Sequence, residues 1–464
     1  MKIFNTLTKE KEEFKPIKAG HVSIYSCGPT VYNYAHMGNH RAYVFPDILK
    51  RWFLYKGFVV KHIMNITDVD DKTIRDSQKA KIPLKEFTKK YEDALFEDLK
   101  TLNVIPADIC PRATEHISEM VETIKVLIDK GYAYKGEDGS IYFSIKKFKD
   151  YGKLVNIKLD ELKSVSQMNN DEYTKEDAKD FALWKAWTPE DGDVFWETEI
   201  GKGRPGWHIE CSTMSSKYLG ETFDIHTGGV DLIFPHHTNE IAQAEAATGK
   251  KFVNYWMHNE HLLVDGKKMS KSLGNFYTLR DLLDKGYSPK AIRYVLMAAH
   301  YRTQLNMTEE GLKQIEKTIN NMIDFMDRIE EAKPTSEYSE SFSEKLKEYI
   351  NKFEEAMDDD LNTPLALATV FGIISEANKA LEENNISKKN LDEVYGVMIK
   401  FDKVLGILKH EKEDIPKDVL DLADKREEAR HNKKWEEADK IRNQIKEMGY
   451  LIEDSPSGPK VKKL

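Results

Sequence analysis

The chain has 464 residues, enough for two to four domains, and its 40% hydrophobic content suits globular packing rather than disorder. With 79 acidic against 70 basic residues the net charge is -9, which argues against indiscriminate polyanion binding but leaves room for a local basic patch. The charged start MKIFNTLTKEKEEFKP is unlike a signal peptide, no apolar run approaches the roughly eighteen residues of a membrane span, and three cysteines, at 27, 110 and 211, are too few for a disulfide framework, so a cytoplasmic protein with thiolate chemistry is expected.

His21 to Cys27 (HVSIYSC) mixes β-branched and aromatic residues and stops at Gly28-Pro29, so it reads as a strand. After the turn YNYAHMGNHRAY, Ala42 to Lys56 has helical apolar spacing through Val44, Ile48, Trp52 and Tyr55, with Gly57 as its stop. Pro46 lies inside, so the regular helix either begins there or bends there, because proline cannot donate the interior hydrogen bond. Phe58 to Ile66 reads as a second strand. Strand, glycine turn, helix and strand make a βαβ unit, whose ligand crevice lies beyond the carboxyl ends of its strands. Cys27 and His36-Met37-Gly38-Asn39 both fall there. Asp70 and Asp71 are candidate caps for a helix after Asn65-Ile66-Thr67.

Between Pro111 and Gly203 the chain changes character, with an amphipathic helix in HISEMVETIKVLIDKGY and then strand fragments from Gly136 to Lys163, and it reads as an insertion. The next stretch, Gly201 to Ala242, collects Cys211, His226, His236, His237 and Glu240. His236 and Glu240 are four apart just after Pro235, so on a helix starting there they share a face and can reach one ion, with Cys211 adding a soft thiolate. A tetrahedral zinc needs a fourth ligand; of the two other cysteines, Cys27 is the better candidate and Cys110 reads as a thiol without a role.

Two short motifs point to a nucleotide. His36-x-Gly38 is weak alone, since chance supplies about 0.75 such patterns in this composition, but Lys268-Met269-Ser270-Lys271-Ser272 has a chance expectation on the order of 10⁻⁴. A glycine at a helix entrance lets a nucleotide approach the backbone, His36 and the helix N-terminus meet phosphate, and two mobile ammonium groups can clamp a departing pyrophosphate. From about Tyr301 the chain turns helical and charge-laced, without the sustained heptads of a coiled coil, and reads as a helical bundle. The last forty residues hold eleven Lys/Arg against eight Asp/Glu, with Trp435 and Tyr450 among them, which suits either an RNA contact or a solvated helix with a disordered GPKVKKL tail.

CGPTVYNYAHMGN at 27–39, NITDVDDK at 65–72, PRATEHI at 111–117, GRPGWHIECSTM at 203–214, DIHTGGVDLIFPHHTNEIAQ at 224–243, KMSKSLGN at 268–275 and MDDDLNTPLAL at 357–367 resemble the cysteinyl-tRNA synthetases among the class I aminoacyl-tRNA synthetases. The resemblance covers almost the whole chain. It implies an α/β fold: a Rossmann-type parallel-sheet catalytic domain in two halves (1–112 and 203–250) around a connective insertion (113–202) that touches the acceptor end of tRNA. A KMSKS-bearing region (251–305), a helical bundle (306–409) and a small C-terminal anticodon-binding segment (410–464) follow. It implies one zinc per chain on Cys27, Cys211, His236 (rather than His237) and Glu240. His36, Gly38, Asn39, Lys268, Ser270 and Lys271 are expected to bind ATP, which brings its magnesium. His36, Asn39, Lys268 and Lys271 would stabilise the reaction, and Thr67, Trp207 and His226 would line the amino-acid pocket.

The expected activity is ATP-dependent ligation of cysteine to its tRNA by a monomer, through a cysteinyl-adenylate. Zinc would bind the substrate thiolate, the property that separates cysteine from isosteric serine; with four protein ligands, that thiolate enters as a fifth or displaces one. Two other readings are a cysteine ligase acting on an amino sugar and a non-catalytic zinc- or RNA-binding paralogue. The helical and basic C-terminal portion weighs against the first, and the intact HMGN and KMSKS against the second. Two departures from the family pattern stand out: DGDVFWETEIGKGRPGW lacks the W-x-SPWG form, and Gly458 is followed by Pro459, Lys460 and Val461 rather than tryptophan.

Overall fold

The computed structural model describes residues 1–156, 180–269, 274–408, 416–455 and 458–463. An N-terminal ribbon, β1 (Lys2–Asn5) and β2 (Glu10–Glu13), leads into β3 (His21–Ser26), α1 (Met37–Tyr55) and β4 (Val59–Met64). After α2 (Asp71–Ala80), α3 (Leu84–Thr101) and α4 (Ile117–Asp129) comes an antiparallel sheet of β5 (Ala133–Lys135), β6 (Ile141–Phe143), β7 (Phe181–Ala186), β8 (Trp196–Thr198) and β9 (Gly201–Pro205). The chain returns through α5 (Trp207–Leu219), β10 (Phe223–Gly229), α6 (Thr238–Thr248) and β11 (Val253–Asn259). The central sheet, β11-β10-β3-β4, is parallel throughout. Its strands are apolar on both faces, as a sheet covered on both sides requires: Ile24, Tyr25, Ile63, Phe223 and Ile225 are all fully buried.

Two local expectations need correction. The first helix begins five residues earlier than its apolar spacing suggested, because HMGN is its first turn rather than a loop. His36 is the N-cap, its Nδ1 accepting from the Asn39 amide while Asn39 Oδ1 accepts from the His36 amide. Pro46 is therefore interior, where it removes the N–H that would bond the Ala42 carbonyl. In the insertion, the described part of Gly136–Lys163 holds one strand, β6, followed by the 3-10 turn Ile145–Lys147 and further turns, and residues 157–163 lie outside the described ones. Of the other strands of that sheet, β5 precedes this stretch and β7, β8 and β9 come from Phe181–Pro205, where glycines pack against β7: a methyl on Gly203 would meet the Lys185 carbonyl at 2.1 Å. Asp70 does cap α2, its carboxylate accepting from the Lys72 amide, while Asp71 pairs with Lys185 and Arg204 of the inserted sheet.

Beyond the sheet lie β12 (Leu262–Val264), β13 (Lys267–Lys268), α7 (Leu279–Asp284), α8 (Pro289–Ala298) and β14 (Leu305–Met307). A bundle follows, of α9 (Glu309–Glu331), α10 (Glu340–Asp358), α11 (Thr363–Glu382) and α12 (Lys388–Leu405). Last come α13 (Lys417–His431), α14 (Trp435–Glu447) and the antiparallel hairpin β15 (Tyr450–Ser455) and β16 (Gly458–Lys463), so the terminal residues that could have been a loose tail pair as a strand. This terminal unit has a small core of its own, Val419, Ala423, Ile445 and Ile452.

The bundle and the sheet share one hydrophobic core running from Ile3 to Leu408. At its centre Asp47 of α1 is fully buried and accepts from Arg293 Nη2 at 2.5 Å and Arg51 Nε at 2.9 Å. Arg293 also donates to the carbonyls of Leu405, Leu102 and Asn103. A buried guanidinium with this many acceptors is stable only while all of them are present; removing one member of such a pair typically costs about 3–5 kcal/mol. Arg293→Met should therefore lower stability by about that much in urea unfolding of the full chain. A change under about 1 kcal/mol would show that core packing alone joins bundle to sheet.

Candidate active site

The parallel sheet sends the carboxyl ends of its strands to one edge, and the residues there form two adjoining groups. Cys27 follows β3 directly, its amide donating to the Thr227 carbonyl of β10 at 3.2 Å. Gly28 continues into close contact with the β4 end: a methyl there would lie 1.6 Å from the Asn65 carbonyl oxygen, so only glycine lets the chain pass. Cys211 lies on α5 with its Sγ 3.9 Å from that of Cys27. His236 occupies the helical turn Ile233–His237 just before α6, so the i, i+4 geometry expected of His236 and Glu240 is realised, with Nε2 to Oε1 at 3.0 Å. One donor atom from each of Cys27, Cys211, His236 and Glu240 lies within 4.8 Å of the others. Zn–S bonds near 2.3 Å imply an S–S edge of about 3.8 Å in a tetrahedron, close to the separation seen here.

Each of these groups is held by a neighbour. His208 Nδ1 faces His236 Nδ1 at 2.9 Å, leaving Nε2 turned to the cluster. His226 Nε2 meets the second oxygen of Glu240 at 2.9 Å, and His237 Nε2 lies 3.2 Å from Cys27 Sγ with its Nδ1 2.7 Å from His258 Nε2. His226 and His237 thus join Cys27 and Glu240 in a second possible ligand group. The Trp207 indole covers His236, ring centroids 4.0 Å apart.

The charges of this buried cluster compensate internally. Burial pushes the Glu240 carboxyl up, but His226 and His236 outweigh it and hold it down at about 2. Burial lowers His236, yet Glu240 and Cys211 raise it to about 10. Burial pushes the Cys27 thiol well up, whereas for Cys211 the same burial is overcome by hydrogen bonds from Cys27 and His236, leaving it at about 6. The cluster thus favours anionic forms of Cys211 and Glu240 and a protonated His236 beside them. A divalent ion placed among these donors would replace the His236 proton, so the donor set fits a metal in charge as well as in reach.

Thr67, expected in the pocket, has its hydroxyl committed to Glu210 Oε2 at 2.7 Å, and His226 is fully buried behind Glu240 rather than on an open wall. Glu210 and His208 were not singled out from sequence. The available signal was helical periodicity, since Trp207, His208, Glu210 and Cys211 occupy one turn of α5. Burial pushes the Glu210 carboxyl well up, against the pull of its Thr67 hydrogen bond.

The second group is the helix entrance. A methyl at Gly38 would meet the His36 ring at 2.9 Å and Met269 Cε at 3.1 Å, so the KMSKS stretch abuts HMGN. The Met37 amide donates to the Tyr277 carbonyl, the His36 ring packs edge-on against Phe276, and Asn275 Nδ2 donates to the Lys268 carbonyl at 3.1 Å. Lys268 is exposed at the end of β13; Ser270 and Lys271 lie outside the described residues. Cys110 lies apart from both groups, half-buried against the small apolar cluster that includes Ile66 and Leu95, with burial pushing its thiol up to about 11.

Residues 13–317 match the model of the class I (C) tRNA synthetase catalytic domain, residues 352–409 that of the DALR domain, and residues 412–459 that of the cysteinyl-tRNA ligase anticodon binding domain. The chain is 50% identical over 465 residues to the cysteine–tRNA ligase of Chlamydia felis, covering 100% of this chain and 98% of that one. It is also 50% identical over 469 residues to that of Brachyspira hyodysenteriae, covering 99% and 98%. Among solved structures, the methionyl-tRNA synthetase of Mycobacterium tuberculosis with methionyl-adenylate superposes with a TM-score of 0.61 at 15% identity, over 84% of this chain and 90% of that one, a likeness of fold.

Proposed function

The chain belongs to the cysteinyl-tRNA synthetases of class I, enzymes that charge tRNA with cysteine at the expense of ATP, and on that premise we propose how its own residues divide the work. Activation is an in-line attack of the cysteine carboxylate on the α-phosphorus of ATP, so the protein positions reactants and neutralises charge, and no side-chain nucleophile is needed. His36, Gly38 and Asn39 form the phosphate-facing entrance of α1; Lys268 and Lys271, with Ser270 between them, offset the negative charge of the pyrophosphate as it departs with its magnesium. The terminal ribose hydroxyl of tRNA then attacks the adenylate. Cys27, Cys211, His236 and Glu240 hold zinc, His226 and His208 keep Glu240 and His236 aimed at it, and Trp207 encloses the side-chain pocket. When bound, zinc supplies a soft Lewis acid for the substrate thiolate, which serine cannot offer.

The observation that carries this reading is the meeting of two sulfurs, an imidazole and a carboxylate at the sheet edge. The approach of Met269 to Gly38 supports the pairing of HMGN with KMSKS. We divide the chain into catalytic halves 1–112 and 203–250, a connective insertion 113–202, a KMSKS region 251–305, a bundle 306–409 and an anticodon-binding segment 410–464, working as a cytoplasmic monomer. The match of the terminal residues to an anticodon-binding model weighs against an amino-sugar acceptor.

Purified protein should contain one tightly held zinc by elemental analysis, and Cys211→Ser should lose it together with cysteine binding while ATP binding persists. Full zinc retention by Cys211→Ser would remove Cys211 from the ligand set. Lys271→Ala should slow cysteine-dependent ATP–pyrophosphate exchange by about 10²–10³ with little change in cysteine affinity, because its ammonium meets charge that develops during the reaction. Equal losses in rate and affinity would make Lys271 a ground-state contact. The anticodon lies about 75 Å from the acceptor end, on the order of the length of a fifty-residue helix, so adenylate formation and tRNA reading are separable. A chain ending near Lys409, shown to be folded by calorimetry, should keep most exchange and lose most tRNA charging; unimpaired charging would show that the terminal segment does not read the anticodon.

A further inference from the structure

Three hydrogen bonds in series join the backbone beside one sulfur to the backbone beside the other. The Gly28 amide donates to Asn65 Oδ1 at 2.8 Å, Asn65 Nδ2 donates to Thr67 Oγ1 at 3.2 Å, and Thr67 Oγ1 donates to Glu210 Oε2 at 2.7 Å. A backbone N–H can only donate, so it selects the oxygen of the Asn65 amide; the Asn65 NH₂ then donates in turn, and the Thr67 hydroxyl proton is left for the Glu210 carboxyl oxygen. The series starts one residue after Cys27 and ends one residue before Cys211. Asn65, Thr67 and Glu210 are each at most 1% exposed, so no water competes along its length.

Glu210 is an expensive residue to place there. Among the described residues it forms no ion pair, and its second oxygen, Oε1, has no hydrogen-bond partner. Burying a carboxyl with one of its oxygens unmatched costs more than burying a leucine of similar volume, so packing does not account for it. Along the chain the two sulfurs are far apart, since α5 reaches this edge only after the whole insertion. The geometry points to Glu210 as a positioning residue: through Thr67 and Asn65 it sets the spacing and aim of the Cys27 and Cys211 sulfurs, and so the affinity of the site for the substrate thiolate. This rests on the reading that the two sulfurs hold the metal.

The test uses the full-length protein loaded with cobalt in place of zinc, whose visible and near-ultraviolet bands report the geometry of the thiolate ligands. Glu210→Leu and Thr67→Val each break the series without opening a large void. Both should retain one cobalt per chain, shift the cobalt bands, and raise the KM for cysteine in pyrophosphate exchange by 10- to 100-fold with the KM for ATP within twofold. Glu210→Gln, which keeps an acceptor for Thr67, should recover most of the parent's spectrum and KM. The double variant Glu210→Leu with Thr67→Val should be no worse than the worse single one, because both act through one series. If both single variants keep the parent's cobalt bands and cysteine KM, or if the double variant shows the product of the two single effects, the proposal fails. Should Glu210→Leu not fold, Thr67→Val alone decides on the same readouts. A parent protein that takes up neither cobalt nor zinc overturns the metal reading itself, whereas a cobalt-loaded parent with silent variants overturns only the role of Glu210.

Discussion

The parallel pairing of β3 with β10 is the constraint on which the rest of the molecule depends. It sets Ile24, Tyr25 and Ser26 beside Ile225, His226 and Thr227, and the Cys27 amide extends the ladder by one bond to the Thr227 carbonyl. A slip of one residue would turn Cys27 to the other face of the sheet and away from Cys211 and Glu240. Because all four central strands run the same way, Cys27, Thr67, the end of β10 and His258 gather at a single edge. The entrance of α1 begins at that edge as well, so metal donors and nucleotide entrance are neighbours by topology, the usual place for a ligand crevice in an open α/β sheet.

The cluster at that edge also illustrates how buried charge is tolerated. Glu240 is wholly inaccessible, which would ordinarily favour its protonated form, yet two imidazoles reach its two oxygens and keep it ionised. The compensation is local. His237 and His258, packed on each other and on Trp256, are pushed toward the neutral form by burial and by neighbouring imidazoles, whereas Glu240 and Cys211 raise His236. A site arranged this way presents anionic donors around the displaceable proton of His236, the electrostatic counterpart of a cation site.

Away from the chemistry, α1 connects catalysis to the bundle. Its first turn is HMGN; within the next three turns Arg41 donates to the carbonyls of His261, His300 and Thr303, and Asp47 anchors Arg293 and Arg51. The three successive acids at the end of α10 complete the joint. Asp358 accepts from Trp52 and Lys56 of α1, Asp359 from Lys11 of the ribbon, and Asp360 from Tyr301, Arg302 and the Phe4 amide. Polar residues on a helix are ordinarily its solvent face. Arg41, Asp47 and Arg51 of α1 are instead buried, because that helix is packed on all sides, and they persist because each finds partners on other elements.

The sequence alone determined the fold class and much of the chemistry. Alternation and apolar runs located β3 and β4, the i, i+4 spacing put His236 beside Glu240, and the charge-laced periodicity after Tyr301 foretold the bundle. These features depend on one or two turns of chain, and short-range periodicity encodes them directly. Spacing could not show that HMGN is a capping box and not a turn, since histidine is an uncommon cap; nor could it place the later strands of the inserted sheet, which are short and partly glycine. Only the tertiary structure decided that Cys27 and Cys211, 184 residues apart, come within 3.9 Å, that the Thr67 hydroxyl is spent on Glu210, and that His226 stands behind Glu240. Those are contacts between elements, set by sheet register and helix packing, and nothing in the local pattern of either partner records the identity of the other.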